Sequence, residues 1–376
     1  MINPGSWLGV LGGGQLGRMF AAAAQTYGYR VAVLDPDPNC PTASLADEHI
    51  VAAYDDEEAW AKLAARCVAV TTEFENVPAK ALEYLARRCS VAPKAEHVAS
   101  FQDRIREKTL LVSVGAEVAP YKVVRLAADL DGCEQLLPGI LKSSRSGYDG
   151  KGQVRVKTST ELKEAFASFN GGACVLEKMM SLKAELSVVV ARRKGGEIAS
   201  YPTSENHHEA GILDFSVAPA RISEELSAKA QALAQHIVMK LDYVGVLCVE
   251  LFLLEGDALI VNEIAPRPHN SGHYTIDACT TSQFEQQLRV LIDAPLGDTH
   301  LIESAAMVNL LGDVWANGEP DWALVLGTAN AKLHLYGKRE ARPGRKMGHF
   351  TCLSDNRREA PLELALRLKR ELPKKA

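Results

Sequence analysis

"WLGVLGGGQLGR", from Trp7 to Arg18, places a short apolar run before a glycine turn, and the chain continues as the helix-like "MFAAAAQTYG". Gly12, Gly14 and Gly17 have GxGxxG spacing, and "RVAVLD" delivers Asp35 eighteen residues past Gly17. A strand that turns on glycines into a helix presents unpaired N–H groups and a positive dipole end, which suits any phosphate or carboxylate. The motif therefore admits a nicotinamide dinucleotide, some other anion, or a tight turn without a ligand. Asp35 lies in the proline-rich "DPDPNCP", where it can serve simply as a turn cap, and this weighs against the dinucleotide.

Outward from that turn the alternation persists to about Pro93: "RVAVLD", "EHIVAA", the helical "DEEAWAKLAARC", then "VAVTTEFENV". Strands alternating with helices build βαβ units on a parallel sheet, so an α/β domain is expected over residues 1–100. A helix near Asp103 to Val114 leads into a small α+β unit of short strand-like runs ("GILKS", "QVRVK", "ACVLEKM", "AELSVVVARR") around one helix, "STELKEAFASF", which gives a second domain over 101–192. The third, 193–376, holds the long helical "SEELSAKAQALAQHIVMKL", two consecutive strand-like runs and a smaller C-terminal part.

Composition bounds the function. Of 376 residues, 47 % are apolar and 24 % charged, the profile of a folded globular enzyme, and a net charge of −5 supplies no basic footprint for nucleic acid. No apolar run reaches the roughly 18 residues of a membrane span. The eight cysteines are scattered without CxxC spacing and read as buried reduced thiols, so the expected location is the cytoplasm.

Two further regions carry chemistry. "KSSRSGYDGKGQ", Lys142 to Gln153, mixes three glycines with Arg145, Tyr148, Asp149 and Lys151 between strand-like runs; it can cover phosphates, but lacks the P-loop arrangement and could equally be a solvated hairpin. "VGVLCVELF" and "ALIVNEIAPR" each bury one carboxylate, Glu250 and Glu263, among apolar neighbours. A lone buried carboxylate is costly, so a partner or a metal is expected. If the two strands pair, both carboxylates reach one hard cation such as magnesium; the bland alternative is an ion pair with Arg267. "PRPHNSGH" then crowds Arg267, His269, Asn270 and His273 into one turn.

"GGGQLGR", "EFENVP", "QDRIREK", "GYDGKGQ", "VGVLCVE", "NEIAPRPHNSGH" and "RPGRKMGH" together resemble, in order and spacing, the N5-carboxyaminoimidazole ribonucleotide synthetases, ATP-grasp carboxylases of purine biosynthesis. The resemblance implies an ATP-grasp fold with an N-terminal Rossmann-like preATP-grasp domain, a lid and a C-terminal domain. It also implies a carbon–nitrogen ligase that takes ATP, Mg2+, bicarbonate and aminoimidazole ribonucleotide, and a homodimer. By position, Lys108 and Lys142 would reach the ATP phosphates, and "EKMM" with Glu177 and Lys178 would run along the adenine. Glu185, His208 (rather than His207) and Asn262 would complete the nucleotide site, with Glu250 and Glu263 as metal ligands. Gln15, Leu16 and Glu75, with Glu73 as the alternative, would hold the acceptor nucleotide, and Lys338, Arg345 and Lys346 its phosphate. Arg267, His269 and Asn270 would hold bicarbonate. Tyr148, Asp149 and Lys151 would close over the chemistry, with Asp149 as base assisted by Lys338. Three rivals stand beside this reading: another ATP-grasp ligase such as the formate-using glycinamide ribonucleotide transformylase, a nicotinamide oxidoreductase, and an ATP-binding scaffold without catalysis.

Overall fold

The computed structural model describes residues 1–145, 152–354 and 359–374. Three sheets organise them. The first is parallel, in the order β3 (Glu48–Ile50), β2 (Arg30–Leu34), β1 (Trp7–Leu11), β4 (Ala69–Thr72), β5 (Ser90–Val91). Its central strands β1, β2 and β4 are buried over almost their whole length because helices cover both faces. The strand order reverses between β1 and β4, and such a switch point opens a crevice at the carboxyl ends of the strands. The glycine turn lies there.

The second sheet is antiparallel: β6 (Tyr121–Val124), β9 (Cys174–Lys178), β7 (Gly139–Ser143), β8 (Gln153–Val156). The helix Ser159–Ser168 packs on it through Leu162, Ala165 and Phe166.

The third sheet has nine strands. Its path runs β15 (Leu259–Ala265), β14 (Gly245–Leu254), β10 (Leu182–Arg192), β12 (Ser204–Glu209), β13 (Ile212–Ala218), β16 (Ala305–Leu311), β18 (Lys346–Leu353), β17 (Ala331–Leu335), with β11 (Ile198–Ser200) beside β10. The run "AELSVVVARR" thus pairs with β14 in this large sheet, whereas its place in the sequence groups it with the small one. Strand length explains the difference: eleven residues match the ten of β14, while the small sheet's strands have four or five. On one face lies the helix Glu224–Lys240, N-capped by Ser223, whose Ala230, Ala234, Ile237 and Val238 pack on Val188, Leu247 and Val249. On the other, Val189 and Cys248 join Leu8 and Val10 of the first sheet and Phe20 of the helix Gln15–Thr26 in one apolar core, with Leu288 and Leu291 of the helix Gln283–Leu291 between them. That shared core sets the crevice of the parallel sheet beside the end of β15.

Candidate active site

Gly12 has φ +97°, a conformation for glycine, and a side chain there would run into Glu73. A Cβ on Gly17 would stand 2.6 Å from the Gly12 carbonyl, so the first helix, Gln15–Thr26, packs directly on its own turn. The N–H groups this creates are taken by the protein's own carboxylates. Gly13 N donates to Asp35 Oδ2 (2.6 Å), which also accepts from Tyr54 Oη (2.6 Å). Gly14 N and Gly17 N donate to the two oxygens of Glu73 (2.5 and 2.8 Å). Asp35 is 6 % exposed and acts as a turn anchor, and Glu73 stands where a dinucleotide pyrophosphate would bind. Burial raises the Glu73 pKa, opposed by the Gly17 and Gly14 amides and by the nearby Lys338. Gln15 is partly exposed beside this turn, and Leu16 next to it is mostly buried.

Glu250 and Glu263 are direct cross-strand partners on β14 and β15. A bulge at this point leaves Asn262 as the extra residue of β15. Glu263 Oε2 lies 2.9 Å from Arg104 Nη1, and Glu250 Oε1 lies 3.0 Å from His269 Nε2. Burial would raise the Glu263 pKa, but Arg104 and Lys142 hold it well below the usual carboxylate range. Neither carboxylate pairs with Arg267. Two hard oxygen donors at one register, next to the buried and unpartnered Oδ1 of Asn262, form a donor set that fits magnesium, which takes few protein oxygens and leaves positions for phosphate and water.

Behind this pair lie Lys108 and Lys142, 2 % and 7 % exposed. Glu177 Oε2 is 3.4 Å from Lys108 Nζ and 3.1 Å from Lys142 Nζ, and Lys108 also donates to the Asn262 carbonyl (3.0 Å). Burial lowers the Lys108 pKa, and Glu177 works against that shift. The side chain of Glu177 therefore faces the lysines, and Lys178 beside it is exposed. His208 Nδ1 lies 2.5 Å from Glu185 Oε2, while His207 points away and stacks on Phe215. Burial disfavours a charged His208, and Glu185 raises its pKa in spite of this.

The turn after β15 connects this region to the parallel sheet. Arg267 Nε donates to Glu75 Oε2 at 2.6 Å, and Gln102 holds the Glu75 and Val77 carbonyls at 2.6 Å each. Arg267 keeps the Glu75 pKa low against its burial. His269 is fixed at both ring nitrogens, by Glu250 and by Ser271 Oγ (2.8 Å from Nδ1). Burial opposes an imidazolium there, yet Cys248 and Glu250 raise the His269 pKa to about 10. Asn270 is 8 % exposed and neither its Oδ1 nor its Nδ2 has a partner. A buried amide in that state calls for a ligand.

From the C-terminal side, Lys338 lies over the Tyr336 ring (5.6 Å) and donates to the Lys346 carbonyl (2.7 Å), and Arg345 donates to the Glu340 carbonyl (2.9 Å). Tyr148, Asp149 and Lys151 lie outside the described residues. One residue escaped the sequence reading: Arg104, the cation nearest the carboxylate pair. The signal was present, because Arg104 and Lys108 are four apart in the helix Arg104–Ser113 and share a face.

Residues 6–102 match the family model described as ribonucleotide synthetase preATP-grasp domain, 109–284 the ATP-grasp domain, and 305–361 the phosphoribosylaminoimidazole carboxylase C-terminal domain. The chain is 46 % identical over 355 residues to an N5-carboxyaminoimidazole ribonucleotide synthase of Bacillus subtilis (strain 168), covering 94 % of this chain and 93 % of that protein. The crystal structure of the synthetase from Thermus thermophilus superposes with a TM-score of 0.90 at 41 % identity, covering 98 % and 99 % of the two chains. The Aspergillus clavatus synthase in complex with ADP and 5-aminoimidazole ribonucleotide gives 0.87 at 36 %, covering 98 % of each.

Proposed function

The chain belongs to the N5-carboxyaminoimidazole ribonucleotide synthase family, and from that membership we propose how its residues divide the family's reaction. The enzyme is an ATP-grasp ligase of purine biosynthesis. It uses ATP and bicarbonate, through carboxyphosphate, to carboxylate the exocyclic amine of 5-aminoimidazole ribonucleotide.

Lys142 and Arg104 face the ATP phosphates, and Lys108 stands behind them with Glu177 as its counter-ion. Lys178 belongs to the strand that flanks the adenine, and Glu185, held by His208, takes ribose hydroxyls. Glu250 and Glu263, with Asn262 beside them, would hold magnesium, which when bound supplies charge neutralisation to the phosphates. Arg267, a planar guanidinium suited to two-point recognition of a carboxylate, holds bicarbonate and then carboxyphosphate together with His269 and the unpartnered amide of Asn270. The acceptor lies over the glycine turn against Gln15 and Leu16. Its ribose hydroxyls meet Glu75 or Glu73, and its phosphate meets Lys338, Arg345 and Lys346. In the second step the amine nitrogen bonds to the carboxyl carbon of carboxyphosphate, the bond from that carbon to the bridging phosphate oxygen breaks, and inorganic phosphate leaves with that oxygen. Asp149, assisted by Lys338, takes the amine proton, while Tyr148 and Lys151 help exclude water from carboxyphosphate. The working state we propose is a homodimer in the cytoplasm, and sedimentation equilibrium tests the dimer.

The observation that carries this reading is the Arg267–Glu75 pair, which ties the turn of the carboxylate strands to the loop after β4 and makes nucleotide side and acceptor side neighbours. The test is ATP-dependent consumption of aminoimidazole ribonucleotide with and without bicarbonate, beside formate plus glycinamide ribonucleotide. Turnover only with the second pair would overturn it.

A further inference from the structure

Gln283 opens the helix Gln283–Leu291, whose N-cap Ser282 accepts from Glu285 N (3.1 Å). Its side chain is completely buried and points away from its own helix, into the turn that carries Arg267 and His269. Gln283 Oε1 accepts from His269 N (2.8 Å), and Gln283 Nε2 donates to His269 O (2.8 Å) and lies 3.1 Å from His273 Nδ1. One amide thus satisfies both backbone polar groups of His269. A flipped amide would set NH2 against N–H and oxygen against carbonyl, so its orientation is unique. The turn is pressed onto it: a Cβ on Gly272 would lie 2.7 Å from Gln283 Oε1. Below, Gln283 N donates to Thr275 Oγ1 (3.0 Å), which donates to Gly272 O (2.6 Å).

We propose that Gln283 is a positioning residue for the bicarbonate pocket: its amide clamps the main chain of His269 and thereby aims His269 and Arg267, without touching substrate. The inference rests on the assignment of bicarbonate to Arg267 and His269 above. Buried backbone groups do not stay unpaired, so without the amide the turn re-forms around other partners and the two side chains lose their aim. Small displacements of positioning groups have large kinetic effects. The ATP phosphate lysines and the basic acceptor loop hang on other elements and keep their places.

The test measures KM for bicarbonate, ATP and aminoimidazole ribonucleotide in the full-length enzyme and in Gln283→Met, which keeps length and loses both hydrogen bonds. The expected result is a bicarbonate KM raised about tenfold or more, the size of one or two lost buried hydrogen bonds, with smaller rises in the other two KM values, because His269 also holds Glu250 and Arg267 also holds Glu75. Gln283→Glu is the second variant. Only its protonated form can donate to His269 O while accepting from His269 N, so the ratio of its bicarbonate KM to that of the parent should fall toward one as pH is lowered. His269 and His273 are the titratable neighbours of this side chain, and the carboxyl group of Gln283→Glu shifts their titration too, so the direction of the ratio with pH is the readout and not its midpoint. If Gln283→Met does not fold, this profile alone decides. A bicarbonate KM within twofold of the parent in Gln283→Met, equal rises in all three KM values, or a Gln283→Glu ratio that stays well above one at every pH overturns the proposal; a ratio near one throughout is the acid kept protonated by burial, as the clamp requires. Arg267→Lys, run in parallel, separates the two readings. If it raises the bicarbonate KM while Gln283→Met does not, the clamp fails and the pocket stands; if it leaves that KM unchanged, the pocket assignment itself fails.

Discussion

Replacing Glu177 by glutamine removes one charge from a buried triad and leaves two ammonium groups facing each other. Glu177 is 3 % exposed, its Oε2 lies 3.4 and 3.1 Å from the amines of Lys108 and Lys142, and no other carboxylate pairs with either lysine among the described residues. Removing one partner of a buried ion pair costs about 3–5 kcal/mol. With an unfolding entropy near 2.1 cal/mol/K for each residue of a 376-residue chain, that corresponds to a melting temperature about 4–6 °C lower if the chain melts as one unit. Glutamine is nearly isosteric, so little of the loss comes from packing. Nucleotide reverses the sign of the local imbalance, because triphosphate brings negative charge to the same two lysines. Saturating magnesium with a non-hydrolysable ATP analogue should therefore raise the melting temperature more in Glu177→Gln than in the parent and close at least half of the gap. Differential scanning calorimetry with and without the analogue reads both effects. A variant that melts within about 1 °C of the parent without nucleotide, or a gap that nucleotide leaves unchanged, refutes the reasoning.

Other expectations follow from the same geometry. Glu250→Gln and Glu263→Gln each remove a hard anionic donor and should raise the magnesium concentration for half-maximal activity several-fold; an unchanged titration places the metal elsewhere. Burial, with Glu263 nearby, raises the Glu107 pKa to about 8, so this acid binds its proton more tightly in the folded state. Its stabilising contribution is complete below about pH 4.5 and is lost as pH rises through about 8. The stability of Glu107→Gln minus that of the parent should accordingly grow more positive from about pH 5 to about pH 8, with a slope of up to about 1.4 kcal/mol per pH unit, read from the melting-temperature difference at each pH. A difference independent of pH would refute this. Asp149→Asn should lower turnover on the order of 10²-fold or more if Asp149 takes the amine proton, and a parental rate of aminoimidazole ribonucleotide consumption would remove it from that role.

The acidic strand pair shows how far local pattern reaches. Two apolar runs with one carboxylate each, joined by a short turn, can hardly avoid pairing, whereas the register that sets Glu250 opposite Glu263 depends on the bulge at Asn262. The glycine turn shows where it stops. GxGxxG with a following Asp is the same string whether a dinucleotide or the protein's own carboxylate fills the helix N-terminus. The filler, Glu73, lies 59 residues from Gly14 and 56 from Gly17. Likewise the bland ion-pair alternative named Arg267 as a partner for the strand carboxylates, and the structure gives Arg267 to Glu75, 192 residues away, and Arg104 to Glu263, 159 away.

The sequence by itself determined the alternation of strands and helices, the acidic β-hairpin, the separate clusters of cations and the family whose motifs it carries. These follow from periodicity, turn residues and side-chain chemistry, which act over about one secondary-structure element. Tertiary structure alone decided which buried charge meets which, that β10 joins the large sheet, and that a helix-opening glutamine grips the main chain of His269. Such partners are chosen when two sheets close on the common apolar core of Leu8, Val10, Val189 and Cys248, and only that packing brings together groups that have no relation along the chain.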